Sequence, residues 1–286
     1  MSDPSPPFQL FTSLRYDPLL LTSPQNLTHY SPPTTTPSPF YMLPLHRDRL
    51  LLAATHFSWP LAITLLTGPS GLTTLTNFLT TSLPTTSPTP LKLKILLSES
   101  GILTLETTPV PSVSLETLFP TRLPPPEPIR LKDIPQVSPL TGGVLTSSTL
   151  HGDPPTTNPF ICTPDPQRTT PSSYSSYKTT SRAIYDDART RINLLDYTSR
   201  REVLLVSTTG EIMEGSLTSP FFWRDGAWVT PSTESGGQIG TTRRWALERG
   251  LCEEGVVRVE SLVEGEECWL GNGVRGFQWG KIKLEV

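Results

Sequence analysis

The sequence predicts an α+β protein built in two units, and three observations carry that prediction. Some segments repeat their apolar residues at helical spacing while others alternate, and glycine-bearing turns separate several of the alternating ones. Proline makes up 32 of the 286 residues, about twice its average usage, and crowds the first 175 residues together with serine and threonine. The second half is cleaner, so the two halves read as separate units.

In the first half, residues 8–16 have the character of a strand. HRDRLLLAATHF, residues 46–57, is helical, because Leu50, Ala53, Ala54 and Phe57 fall on one face at i, i+3, i+4 and i+7. Residues 71–83 form a second candidate helix. Residues 92–97 and 102–106 alternate around Glu99-Ser100-Gly101, a hairpin signature. The runs at 31–39, 84–90, 108–128 and 153–175 are too polar and proline-interrupted for helix or central strand, and read as exposed loops. The division that follows is an N-terminal α+β domain over 1–160, a linker over 161–176 and a C-terminal domain over 177–286.

In the second half, residues 178–192 read as a helix with Ile184, Ala188 and Ile192 on a stripe. Residues 203–207 and 211–213 flank a turn at Thr209-Gly210. Residues 221–223 and 228–230 flank Asp225-Gly226, the strongest short hairpin signal in the chain. Residues 241–249 read as a helix opened by threonine and closed by Gly250. Residues 256–259 and 281–286 alternate as strands.

Composition excludes several classes of function. A formal net charge of -3 leaves no basic footprint for nucleic acid. The longest apolar clusters, at 50–54 and 61–66, fall far short of the ~20 residues that span a bilayer. No N-terminal stretch has the form of a secretory signal. Cys162, Cys252 and Cys268 follow no CxxC spacing, which argues against a disulfide framework or a structural metal site. The expectation is a cytoplasmic protein without metal.

The chemistry concentrates in four segments of the second half. They are KTTSRAIYDDAR from Lys178, EIMEGSLTSPFFWRDG around Glu214, QIGTTRRWALERG with Thr241-Thr242, and WLGNGVRGF with Asn272-Gly273. Taken singly, each is an ordinary feature: a solvated lysine, a strand glutamate, a helix cap and a tight turn. In this order and spacing they resemble the C-terminal half of the fold-type IV pyridoxal-phosphate (PLP) enzymes, and most of all the aminodeoxychorismate lyases. The likeness extends weakly into the first half through FTSLRYDP and HRDRL.

The resemblance implies a smaller N-terminal domain and a larger C-terminal one with a mixed, barrel-like sheet. It assigns Lys178 as the Schiff-base lysine and proton-transfer residue, and Glu214 as the partner of the pyridine nitrogen. Arg49, Thr241, Thr242, Asn272 and Gly273 would hold the phosphate, a role that suits free amides at a helix start and a fixed cation. Arg15 and Arg182 are candidates for substrate carboxylates, which a planar guanidinium matches. The implied reaction forms 4-aminobenzoate and pyruvate from 4-amino-4-deoxychorismate, for folate synthesis, in a homodimer. Branched-chain and D-amino-acid aminotransferases share the fold and stay open as alternatives. So does a non-catalytic homologue, because Tyr177 stands where the family often has histidine and Ser219 where asparagine is typical. The consecutive aromatics Phe221, Phe222 and Trp223 would face both sides of a strand, so one face needs a second layer or a partner subunit.

Overall fold

One face of a three-stranded antiparallel sheet carries the helices of the first unit, and the other face carries its cations. The computed structural model describes residues 8–26, 37–83, 88–126 and 158–285. Strand β1 (Leu10–Tyr16) pairs with β2 (Leu91–Leu97), which pairs with β3 (Leu103–Pro109). Between β1 and β2 the chain forms α1 (Leu43–His56), α2 (Pro60–Leu66) and α3 (Gly68–Ser82). In β2, LKLKILL, the period of two buries Leu91, Leu93, Ile95 and Leu97 on the helix side and puts Lys92 and Lys94 on the opposite face. Leu93 and Ile95 pack with Leu14, Leu43, Leu75 and Leu79 in one cluster.

The two expected helices and the hairpin are therefore present, with ends shifted by a few residues, while α2 has no counterpart in the sequence reading. The segment after β3 is not simply an exposed loop. It forms α4 (Leu115–Leu118), and Leu118, Phe119 and Leu123 are buried against Tyr41, Phe221, Trp228 and Trp245. Residues 31–36, 84–87 and 127–157 lie outside the described residues.

The second unit is an eight-stranded mixed sheet. Strand β4 (Phe160–Thr169) is followed by the short α5 (Ser173–Ser176), α6 (Ala183–Arg191), β5 (Arg201–Ser207) and β6 (Ile212–Gly215). Then come β7 (Ser219–Arg224), β8 (Ala227–Pro231), α7 (Thr241–Glu248), β9 (Glu253–Gly255), β10 (Glu267–Asn272) and β11 (Gly276–Ile282). The strand order is β6-β5-β4-β11-β10-β7-β8-β9. The sheet curls until its ends meet: the Ile212 amide donates to Val257 O at 2.7 Å, just past β9. Residues from β4, β5, β6, β7, β10 and β11, among them Cys162, Leu204, Ile212, Phe222 and Leu270, fill the inside of the curl as one cluster. The barrel-like mixed sheet is thus present.

Several local readings are corrected. The linker assigned to 161–176 opens instead with β4, which sits between β11 and β5. Its two prolines are tolerated because the ladder to β5 breaks register between Pro164 and Arg168. The helix expected from Lys178 starts only at Ala183. Lys178 to Thr180 instead lie along β1, with the Phe11 amide donating to Lys178 O and the Thr180 amide to Gln9 O at 2.9 and 2.8 Å. Pairing with an open strand edge outweighs local helix preference here, and it also covers that edge. Past β9, Val259 belongs to a 3-10 turn and the last strand ends at Ile282, not at the C-terminus. Both faces of β7 are covered within this chain: Phe221 packs with α4 and α7, Phe222 inside the curl. The aromatic triplet therefore offers no support for a partner. At Asp225-Gly226 the expected hairpin forms with φ of 51° and 88°, the positive pair that a tight primed turn needs.

Candidate active site

The cation-bearing face of the small sheet and one end of the curled sheet enclose a cavity of about 340 Å³. Lys178, Glu214, Arg49, Thr241, Thr242, Asn272, Gly273 and Arg182 all line it. They come from six places in the fold, which two units had to be packed together to assemble.

Lys178 is fixed by the pairing of its backbone with β1, and its Nζ lies 5.0 Å from the centre of the Phe11 ring and 3.4 Å from Gln238 Oε1. Burial lowers its pKa well below the ordinary lysine value, and the neighbouring Arg182 and Arg49 lower it further. A buried, cation-flanked amine is able to lose its proton and act as nucleophile or base near neutral pH. Glu214, on β6, is 6% exposed. Burial pushes its carboxyl up to about 7, against the opposing effects of a hydrogen bond from Tyr185 and of Lys178 and Arg182.

The far side of the cavity suits an anion. Thr241 and Thr242 open α7, where backbone amides lack helical partners. Thr242 Oγ1 and Arg49 Nε are buried with no hydrogen-bond partner. Leaving such groups unpaired costs on the order of 1–3 kcal/mol each, so the folded chain holds donors waiting for an acceptor. Arg49 is otherwise anchored, its Nη2 donating to Thr12 Oγ1, which also meets His46 Nδ1 at 2.7 Å. Burial lowers the guanidinium to about 10, still protonated at neutral pH. His46 is pushed well below its ordinary pKa by burial and by Arg49 and Lys178, so it stays neutral.

Glycine is required around this anion cradle. A Cβ on Gly273 would lie 2.5 Å from the His46 ring and 2.9 Å from Ser13 O, and one on Gly271 would lie 2.9 Å from Thr242 Oγ1. Asn272 Oδ1 accepts from the amides of Val274 and Arg275 at 3.0 and 2.8 Å, which shapes the turn. Gly273→Ala should destabilise the protein by about 1–3 kcal/mol and weaken binding of inorganic phosphate. Thermal melting and a phosphate titration check this; an unchanged phosphate affinity would remove the 271–273 turn from the cradle. The donor set therefore fits a phosphate monoester, with an amine and a carboxyl lining the same cavity.

Arg15 is not brought to the cavity. Its Nε pairs with Asp17 at 2.7 Å, Nη2 donates to Pro111 O and Nη1 to Val274 O, and the side chain is 1% exposed. It clamps β1 to the 111 segment and the 272–275 turn. Arg182 does face the cavity, donating to Ser216 O at 2.9 Å and stacking its guanidinium 4.4 Å from the Tyr185 ring. Tyr177 lies outside the lining, stacked on His56 and beside Phe57, so it replaces a histidine without entering the site. Ser219 lines the cavity with its Oγ against Gly240.

Sequence reasoning missed Lys92, Lys94 and Arg275, which bring further positive charge to the lining. The alternation of LKLK was the available signal, since it places both lysines on one strand face. It also gave no role to Tyr185 and Gln238, although both stand within the quoted segments, because nothing in their spacing shows that they meet. Lys94 is ion-paired with Glu106 at 3.1 Å. Lys92 has its pKa lowered by burial and then by Lys94 and Arg275.

Among known proteins, the amino-transferase class IV family profile matches residues 141–279. An aminodeoxychorismate lyase of Saccharomyces cerevisiae is 32% identical over 214 residues, 68% of this chain and 52% of that protein. The chain spans about half the length of the curated relatives it matches, 52% and 48%. In fold it is similar to the 4-amino-4-deoxychorismate lyase of Pseudomonas aeruginosa (TM-score 0.60, 15% identity, 100% of this chain and 90% of that one). It is also similar to the branched-chain amino acid aminotransferase of Escherichia coli (TM-score 0.55, 13% identity, 97% and 77%). Four motifs in order, a curled mixed sheet and a lysine–glutamate cavity with an anion cradle agree with these likenesses: residues 141–279 match the amino-transferase class IV family, and the chain has the fold of these enzymes.

Proposed function

We propose that this chain is a PLP-dependent lyase that converts 4-amino-4-deoxychorismate to 4-aminobenzoate and pyruvate. The observation that carries the reading is the shared cavity, which is lined by a half-buried lysine of depressed pKa, a buried carboxyl, and the partnerless Arg49 Nε and Thr242 Oγ1 donors. The likeness to a yeast aminodeoxychorismate lyase supports the choice of reaction. So does the charge of the lining, because the substrate carries two carboxylates and Lys92, Lys94, Arg182 and Arg275 supply cations outside the cradle.

Arg49, Thr241, Thr242 and the 271–273 turn would hold the phosphate, and Glu214 would hold the proton on the ring nitrogen. PLP, when bound, supplies the sink for the electron pair left when the carbon bearing the amine loses its proton. Lys178 would hold the cofactor, and its Nζ would take up that proton. The carbon–oxygen bond to enolpyruvate then breaks, the ring becomes aromatic, and a proton delivered to the enol carbon by Lys178 or water completes pyruvate. No external oxidant or reductant is needed.

The test is pyruvate release from 4-amino-4-deoxychorismate by purified protein reconstituted with PLP, with no keto acid added. Turnover without an acceptor is expected. Strict dependence on a keto acid would make the protein an aminotransferase, and no visible cofactor band at all would make it a non-catalytic homologue. We carry the homodimer of the family resemblance with this reading. It is supported by Leu195 and Tyr197, 72% and 49% exposed, the latter lining the cavity. Light scattering at micromolar concentration should give twice the chain mass; a monomer that is fully active would exclude the dimer. No helix of the described residues is long and apolar enough to cross a membrane.

A further inference from the structure

Glu214 and Lys178 are joined by a chain of hydrogen bonds through two side chains, Tyr185 and Gln238, that lie within the motif segments but were given no role there. The Tyr185 hydroxyl donates to Glu214 Oε1 at 2.6 Å and accepts from Gln238 Nε2 at 2.9 Å. Lys178 Nζ donates to Gln238 Oε1 at 3.4 Å. Tyr185 and Gln238 are 1% and 8% exposed, so water does not substitute for them.

The chain has one self-consistent direction. Tyr185 has a single proton and two acceptors in reach, Glu214 at 2.6 Å and Ser175 O at 3.2 Å. The shorter, charge-assisted bond takes it. The phenol oxygen can then only accept, so the Gln238 amide must turn its nitrogen to Tyr185 and its oxygen to the lysine. The Gln238 backbone also lies near enough to Glu214 to favour its carboxylate form. Gly237 permits this approach, since a Cβ there would lie 2.3 Å from Met213 O.

We propose that Tyr185 and Gln238 are positioning residues that hold Glu214 as a carboxylate and couple it to Lys178. The role of Glu214 toward a pyridine nitrogen rests on the PLP reading; the coupling itself does not. The charged and titratable groups facing Glu214 are Lys178, Arg182, Arg49 and Tyr185. Burial works against the carboxylate, and the Tyr185 hydrogen bond is the largest effect opposing it. Tyr185 is itself kept un-ionised, its pKa raised well above the ordinary value by burial and by Glu214, so it remains a donor throughout the neutral range. Arg182, stacked over its ring, fixes the phenol's tilt.

The experiment uses the full-length, cofactor-free chain labelled with 13C at the glutamate carboxyl carbon. The Glu214 resonance is identified by its absence in Glu214→Gln and followed against pH. In Tyr185→Phe its midpoint should rise by about one pH unit or more, the worth of one hydrogen bond to a charged group. Gln238→Leu frees the phenol proton to turn toward Ser175, so it should move the midpoint in the same direction by less. It also serves alone if Tyr185→Phe does not fold. A Glu214 midpoint unmoved in the folded variants overturns the proposal. Because no cofactor is present, that result is distinct from a failure of the chain to bind PLP, which would overturn the function and leave the coupling standing.

Discussion

On the proposed reaction, Lys178→Ala should abolish formation of 4-aminobenzoate, with a loss of at least about 10²–10⁴-fold from proton transfer alone. Two other lysines, Lys92 and Lys94, line the cavity, and neither is placed as Lys178 is. Lys94 is engaged by Glu106 in an ion pair at 3.1 Å. Lys92 shares the lowering of pKa but stands on the cationic face of the small sheet. Lys178 alone is held next to Gln238, within the electrostatic reach of Glu214. Borohydride reduction of the PLP-loaded protein followed by peptide mass mapping should put the label on Lys178; a label on Lys92 would overturn the assignment, as would product formation by the purified variant. The variant should not lose stability. The folded-state pKa of Lys178 lies below its unfolded value of about 10.4, so the folded chain binds that proton less readily than the unfolded chain does. The resulting penalty is fully present at low pH and fades as pH rises toward the unfolded value. Alanine removes it, so the melting temperature should gain more at pH 6 than at pH 9.

Glu214→Gln should lower turnover by about 10²-fold or more while cofactor affinity changes little, because the phosphate donors are untouched. The same substitution has a signature without cofactor. Glu214 has its folded pKa raised to about 7, above an unfolded value of about 4.3. The folded chain therefore binds the proton more readily, and stability falls as pH rises between those two values. Above pH 7 the buried anion costs on the order of 2–4 kcal/mol. Glutamine keeps the Tyr185 contact without that cost. The cofactor-free variant should thus be more stable than the parent at pH 8 and similar to it at pH 4, as read by urea denaturation. Equal stability at both pH values would show that Glu214 does not change ionisation on folding.

The two predictions draw on different layers of information. The identities of Lys178 and Glu214, with Thr241, Thr242, Asn272 and Gly273, were legible as types of residue at family spacing, and the cavity collects all of them. Where a signal is local, the sequence determined the structure directly. Asp225-Gly226 turns because glycine and aspartate accept positive φ, and α7 runs from Thr241 to Glu248 with Gly250, at a φ of 64°, just past its end. LKLK in β2 sorts leucine from lysine because a strand alternates its faces.

Tertiary structure alone decided three things. Lys178 lies in an extended segment rather than a helix because β1 offered it an unpaired edge, a partner about 170 residues away in the chain. Arg15 and Arg182 are both arginines beside family motifs, yet one is consumed by Asp17 and Pro111 O while the other faces the cavity. Charge and spacing cannot distinguish them, since the competing partners come from other elements. Tyr185 and Gln238 are 53 positions apart and meet only because α6 packs on β5 beside β6, whose Glu214 is then reached from both sides. Local propensity and spacing name the groups a site contains, whereas burial and partner geometry set their protonation, because both depend on what the fold brings within a few ångströms.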